Sequence, residues 1–332
     1  LKGFGVDTLS QGIIASGAVM HYLAETQHHK LQHITAIERI LEDDYVWMDK
    51  FTIRNLELYN SYNANAVTLI DVIDHTISPM GGRLLKRWLA LPLKTIDKIK
   101  SRHEVVQYFL NHDDTHLKIQ NYIKQVGDLE RLISKVATAK VNPREVIQLK
   151  NSLEAIVPIK SLSTQCENSD LRRIGDKFES CEVLREKIKT TLREEAPVNI
   201  LKGNSILSSA SDELESLRDI AHSGKDYLDK MLARESAATG ITSLKIASNN
   251  VFGYYIEVRN SQKDKVPENW IRKQTLVNAE RYITEELKEY EAKILGAEDR
   301  ILVIEQTIFT ELVSWMHSYI MQVQLNAQLI AQ

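Results

Sequence analysis

The sequence predicts a mainly α protein: a multi-helix core joined to two long antiparallel helices, with a small β-sheet inserted at their tip. Three observations predict it. Apolar residues recur at helical intervals along most of the 332 residues. Two stripes with alternating three- and four-residue spacing flank a single segment, as the seam of a coiled pair would. That segment, NVFGYYIEVRN (residues 250–260) followed by WIRKQTLVNAERYI (270–283), is instead β-branched, aromatic and basic.

The elements follow in order. Residues 11–23 carry Ile14, Ala18 and Leu23 at helical spacing, and DDYVWMDKFTIRNLELYNS then predicts a short extended piece. In TISPMGGRLLKRWLALPL, Ser78 is placed to cap, Pro79 suits the first helical position, Leu84, Leu85, Trp88 and Leu89 form the stripe, and Pro92 stops the helix. Further helices are expected over residues 95–110, 116–123, 128–139 and 143–156, closing a first module near Pro158. The outgoing stripe is Leu214, Leu217, Ala221, Gly224, Leu228 and Met231; the returning one is Leu287, Tyr290, Ile294, Ala297, Ile301, Ile304 and Ile308. Helices of such length reach roughly 37 Å at 1.5 Å per residue, so an antiparallel pair makes an arm. Docking of both stripes on the core is the competing arrangement.

Within the tip, LKIAS and VFGYYIEVRN read as strands around an Asn249-Asn250 hairpin turn. Phe252, Tyr254, Ile256 and Val258 share the packing face, and Tyr255, Glu257 and Arg259 the solvated one. A third strand over residues 271–277 completes the expected sheet.

Composition excludes several classes of protein. A 26% charged fraction, 7% aromatic residues and 6 prolines fit a helix-rich soluble protein, and no apolar run nears the roughly 20 residues a membrane span needs. The opening LKGFGVDTLS has neither Met nor an export signal and predicts a piece of a longer chain. Cys166 and Cys181 stand fifteen positions apart and read as free thiols of a reducing, cytoplasmic protein.

Catalytic and metal motifs are weak. His29 and His33 have metal spacing, with His21 and His28 nearby, but no completing carboxylate or Cys. Asp71, Asp74 and His75 belong to the approach of a capped helix. HSGKDY (222–227) lacks the upstream glycine and following Ser/Thr of a phosphate loop and interrupts a helix. The sequence therefore predicts no enzyme, no metal and no cofactor in this chain.

Binding chemistry is concentrated in the tip. The net charge is −3, yet residues 243–281 hold seven cations against four anions. Arg272, Lys273, Gln274, Thr275, Asn278 and Arg281 mix cations with neutral donors, a mixture suited to phosphate oxygens more than to base edges. Lys245, Asn249 and Asn250 are placed where they could extend that contact. An ordinary solvated basic face is the alternative.

These residues resemble a known family. The stretch from LKIASNNVFGYYIEVRN through WIRKQTLVNAERYITEELKEYEAK is similar to the clamp segment of the bacterial MutS family of DNA mismatch-repair proteins. MDKFTIRNLEL, TISPMGGRLLKRWLALPL and DLERLISKVATAKVNPREV resemble its core motifs in the same order. The resemblance implies the tail of a connector domain over 1–14, a helical core over 15–158, outgoing lever helices over 159–235, a clamp over 236–284 and a returning lever helix over 285–332. It further implies contact of Lys273 and Asn278 with the DNA backbone; Arg272, Gln274, Thr275 and Arg281 are supporting candidates by their neighbourhood, and Leu276 and Tyr282 are assigned to packing. ATP and Mg belong to the full-length family, in an ATPase beyond this segment. Implied partners are double-stranded DNA, mismatched in the full-length context, a second MutS-like subunit and a MutL-type protein, in a bacterial cytoplasm near the nucleoid. Two readings remain for the chain itself: a sequence-independent DNA-backbone binder with a coupling lever, or a helical scaffold for protein partners. A MutS paralogue acting in recombination is a further alternative.

Overall fold

The protein is seen in a computed structural model that describes residues 9–26, 31, 34, 42–63, 65–249 and 253–332; the side-chain surroundings of Gly224 and Lys225 lie outside it. His28, His29, His33, Asn250 and Phe252 fall outside the described residues. The fold is mainly helical with one small antiparallel sheet, as the sequence predicts. Two units divide the chain, one of residues 1–198 and 310–332, the other of residues 199–309.

In the first unit, helix starts follow the capping residues. Helix α1 (Ser10–Glu25) buries none of its side chains. The expected extended piece at residues 43–61 is largely replaced. Tyr45 makes a single bridge to Leu93, and Asp49 then caps α2 (Lys50–Asn55) by accepting from Thr52 N at 2.7 Å, a short side chain at the N-cap outweighing β-branched neighbours. Asp71 closes a capping box with Thr68 on α3 (Leu69–Ile73), and Asp74 accepts from Thr76 N at 3.1 Å. Both carboxyls titrate below the usual range because of these hydrogen bonds.

Ser78 caps α4 (Pro79–Ala90) as expected, and α5 (Ile96–Asn111) and α6 (Asp113–Ile123) follow. Arg102 stacks on Trp88 at 3.5 Å. Asp128 caps α7 (Leu129–Ala137), and Asn142 with Glu145 boxes α8 (Pro143–Thr164). Pro158 does not end that helix: α8 continues for six more residues. Burial of Ile156, Ile159 and Ser163 on one face offsets the lost backbone bond. Helices α9 (Ser169–Lys177) and α10 (Glu182–Thr191) pack on α8. Gly175 permits the α8–α9 approach, since a Cβ there would lie 2.8 Å from both Ser163 Cβ and Thr164 N. Cys166 and Cys181 are free and buried, and burial pushes the Cys181 thiol up to about 11.

The second unit is built on α11 (Asp212–Thr239) and the first part of α12 (Glu285–Met316). Ser211 caps α11, and Gly240, at φ +68°, closes it in the left-handed conformation. HSGKDY does not interrupt α11, which runs through it with His222 beside Asp226 at 3.3 Å. The two helices run antiparallel: Arg300 meets Glu213 at 3.0 Å, Tyr227 stacks on Tyr290 at 3.7 Å, and Arg234 meets Glu286 at 2.6 Å. Leu214, Ala221, Leu228, Met231, Leu287, Ile294 and Ala297 are buried, as the stripes require.

Beyond residue 301 the stripe departs from its expected course. Ile304 and Ile308 are only partly buried, while Glu305 and Phe309 are inside. A straight helix has 3.6 residues per turn and drifts about 20° per heptad from a 3.5 repeat, so the inner face advances by one position. Glu305 is fully buried there. It accepts from Asn204 N at 3.1 Å, Ser205 N at 3.0 Å and Arg218 Nη2 at 2.5 Å.

Between these helices lies a sheet of four strands: β1 (Lys245–Asn249), β2 (Gly253–Arg259), β3 (Ile271–Thr275) and β4 (Ala279–Ile283), in the order β1-β2-β4-β3. The expected third strand is β3, and a fourth strand, β4, joins it. Asn249 pairs with Gly253 and belongs to the strand and not to the turn expected for it. The inner face joins Ile256, Val258 and Tyr282 to Leu228, Met231, Ile241, Trp270, Leu287 and Ile294. Full burial of each large side chain is worth about 1.5–3 kcal/mol, enough to hold so small a sheet to its helices.

Candidate nucleic-acid interface

Strand alternation sorts the tip residues into two faces. Cross-strand pairing puts Lys245, Glu257, Arg281 and Gln274 in one row on the outer face. Arg281 sits at the middle of that row and is occupied there. Its Nε donates to Glu257 at 3.2 Å, its Nη1 donates to Gln274 at 2.9 Å, and its guanidinium lies 4.2 Å from the centre of the Tyr255 ring. This explains a departure from the sequence expectation: Tyr255 is on the solvated face yet only 6% exposed, because Arg281 covers it.

Arg272 falls in register with Tyr282 on the inner face and lies 3.5 Å from the buried Glu280. Glu280 also accepts from the Tyr282 hydroxyl. Burial and that carboxylate push Tyr282 up to about 12. Tyr282 thus packs and anchors a carboxylate, while Leu276 is partly buried.

Lys273 is different. Register slips between Arg272 and Gln274, so Lys273 is the extra residue of a β-bulge on an edge strand. Bulges re-aim a side chain and twist the edge. Lys273, Thr275 and Asn278 are exposed, and their side chains make no hydrogen bond or ion pair among the described residues. Val277 between them is 92% exposed.

The β3–β4 turn is well fixed despite this exposure. Leu276 N donates to Ala279 O at 2.8 Å, Asn260 N to Asn278 O at 3.1 Å, and Asn260 Nδ2 to Val277 O at 2.9 Å. Of the six tip residues singled out by sequence, the structure therefore brings Lys273, Thr275 and Asn278 to one free edge and turns Arg272, Gln274 and Arg281 to contacts within the sheet. Lys245 is exposed on the β1 edge, two strands from Arg281, and Asn249 is partly buried at the far end of that strand. Sequence reasoning missed β4, Val277 and the bracing by Asn260. The three-residue spacing between two five-residue runs is a hairpin signal that would have found β4.

At the end of β2 away from the β3–β4 turn, Glu291 on α12 accepts from Tyr254 N at 3.1 Å. Gly253, at φ +69°, makes room for it: a Cβ there would sit 1.4 Å from Glu291 Oε1. The glycine of FGYY is thus required by a carboxylate thirty-eight positions on, and by the backbone angle as well.

Elsewhere, a mixed-charge groove of about 740 Å³ lies on the first unit, where Arg83 reaches Asp128 at 2.7 Å and Glu130 at 2.5 Å. Among the described residues no three His, Cys, Asp or Glu side chains are grouped to hold a metal. No described helix is long and apolar enough to cross a membrane.

Comparison with known proteins agrees with this arrangement. The MutS domain III family model matches residues 51–332. The chain is 66% identical over 332 residues to the DNA mismatch repair protein MutS of Flavobacterium psychrophilum, 65% to that of Christiangramia forsetii and 55% to that of Bacteroides fragilis. All of this chain is covered in each case, and it spans 38% of the length of each relative. A helical protein with a small sheet between two long antiparallel helices, matched over 282 residues by that family and over its whole length by these relatives, belongs to the MutS family, in the region of its domain III.

Proposed function

We propose that this chain holds duplex DNA by its phosphate backbone, without reading sequence, through the β3–β4 edge of the sheet. The observation that carries the reading is the set of uncommitted side chains there: Lys273 at a bulge, with Thr275 and Asn278 beside it, on a turn fixed by Asn260. A cation and two neutral donors on a rigid edge suit phosphate oxygens. Lys273 supplies a point charge where an arginine would supply a fork, so its contact is tolerant of geometry.

In this reading residues 236–284 act as clamp, α11 and the first part of α12 as outgoing and returning lever, and 1–14 as the end of a connector; the core extends past the expected boundary at 158, since α8 runs through Pro158 and residues 159–198 and 310–332 belong to the first unit. The chain itself carries out no catalysis. Its helices transmit clamp position to an ATPase, using ATP and Mg, in the full-length protein. Coupling of that kind requires two discrete arrangements of the lever. A second MutS-like subunit would double the contact, and a MutL-type protein would read the result, in the cytoplasm at the nucleoid.

Fluorescence anisotropy with a matched duplex and the same duplex bearing one G·T pair, over a salt series, tests the reading. Expected is weak binding, about 10⁻⁴ to 10⁻⁶ M, equal for both and falling steeply with salt. Absence of binding at low salt would replace it with the scaffold reading, and a preference for the G·T duplex would remove the claim of backbone-only contact.

A further inference from the structure

We infer that Arg259 is a further phosphate-binding residue of this edge and that Asn260 is the residue that positions it; the inference rests on the DNA reading proposed above. Arg259 is the last residue of β2, directly opposite Ala279, where β4 leaves the β3–β4 turn. It therefore emerges at the same end of the sheet as Asn278. Strand alternation assigns it to the outer face with Tyr255 and Glu257. Arg281, on that face, is neutralised by Glu257 across the strand. Arg259 faces an alanine instead, is exposed, and forms no ion pair or hydrogen bond through its side chain among the described residues.

The backbone that presents it is tied down. Asn260 makes two hydrogen bonds to the β3–β4 turn, at 3.1 Å to Asn278 O and 2.9 Å to Val277 O. Two residues on, Gln262 accepts from Ser243 Oγ at 2.6 Å, and Lys265 Nζ donates to Gly240 O at 3.3 Å. The segment after Arg259 is thus fixed to both the turn and the end of α11. Only the arginine side chain then needs ordering when a ligand arrives, which keeps the entropic cost of contact low. A guanidinium can take a phosphate bidentately, and Lys273 lies two strands across, about 10 Å at ordinary strand spacing, and further along the sheet, level with Arg281 and Tyr282 where Arg259 is level with Ala279. The two cations are far enough apart to neutralise different phosphates of one duplex. Each contact contributes about 0.9 to the slope of log affinity on log salt.

The test is anisotropy of this chain with a labelled matched duplex over a salt series, for wild type, R259A, R259K, N260A, K273A and K118A, the last removing an exposed cation from the helical unit. Expected for R259A is a loss of about three- to tenfold in affinity with a slope lower by about one. R259K should keep the slope. N260A should weaken binding with an unchanged circular dichroism spectrum, and adding R259A to it should cost little more. If R259A binds like K118A while K273A weakens binding, the assignment of Arg259 fails and the DNA reading stands. If N260A binds like wild type, or if R259A costs as much in its background as alone, the positioning role fails. If wild type does not bind at low salt, both the inference and the reading beneath it fall.

Discussion

Arg281 and Lys273 lie on neighbouring strands and carry the same charge, yet their surroundings give them different work. Arg281 has a ring beneath it, a carboxylate on one side and an amide on the other. Lys273 has none of these, and the bulge turns it away from the row. Substitution should separate the two roles. K273A should leave the unfolding midpoint near wild type and weaken DNA binding about equally for all sequences, with the salt slope reduced by about one. R281A should lower stability by about 1–3 kcal/mol, as a cation–π contact and two charge-assisted hydrogen bonds are lost together and Tyr255 is uncovered. Urea unfolding and anisotropy on the same two variants decide it. A large loss of stability in K273A, or none in R281A, would reverse the assignment.

At the level of elements, much of the fold was legible because caps and apolar spacing are local signals. Ser78, Asp128 and Asn142 start helices within a residue or so of the expected positions. What was illegible depends on distant partners. Pro158 reads as a stop, but packing of its helix face outweighs the missing backbone donor. Tyr255 reads as solvated until Arg281 is laid over it. Lys273, Thr275 and Asn278 could be named from the sequence, but nothing local distinguishes them from Arg272 and Arg281, whose carboxylate partners are set by strand register. Glu305 is the clearest case, since a carboxylate inside a helix seam contradicts the apolar pattern and is explained only by the two backbone N–H groups and Arg218 that surround it. E305A should cost about 3–5 kcal/mol, because it leaves Arg218 without its buried partner. Exchange of amide hydrogens in residues 199–309 is the measurement, and protection there equal to wild type would contradict the packing role. G175A addresses the first unit in the same way. Its new methyl meets backbone at 2.8 Å, so α8 and α9 must part, at about 1–3 kcal/mol. Unchanged thermal stability would mean that the contact yields without cost.

The whole molecule depends on pH through groups in both units. In the first, hydrogen bonding from Lys150 at 2.8 Å holds Glu194 below its ordinary value, and hydrogen bonds from Thr52, Thr68 and Thr76 do the same for Asp49, Asp71 and Asp74. In the second, Arg234 and then Tyr227 hold Glu286 down. For a carboxyl whose folded value is depressed, the unfolded chain binds the proton first as pH falls. Its stabilisation is therefore complete above the unfolded value, about 3.9 to 4.3, and is lost as pH drops through the folded value. The Cys181 thiol is shifted the other way, up to about 11 by burial. The unfolded chain then ionises first, near 8.5, so that contribution is present below about 8.5 and fades as pH rises toward the folded value. The two signs together give a plateau from roughly pH 5 to 8.5 with losses on both sides. Urea midpoints measured from pH 3 to 10 should trace it, and C181A, which leaves only the Cys166 thiol, itself raised by burial, should lessen the alkaline loss and leave the acid limb unchanged. An alkaline limb unchanged in C181A would place that loss on another group and overturn the role given to the buried thiol.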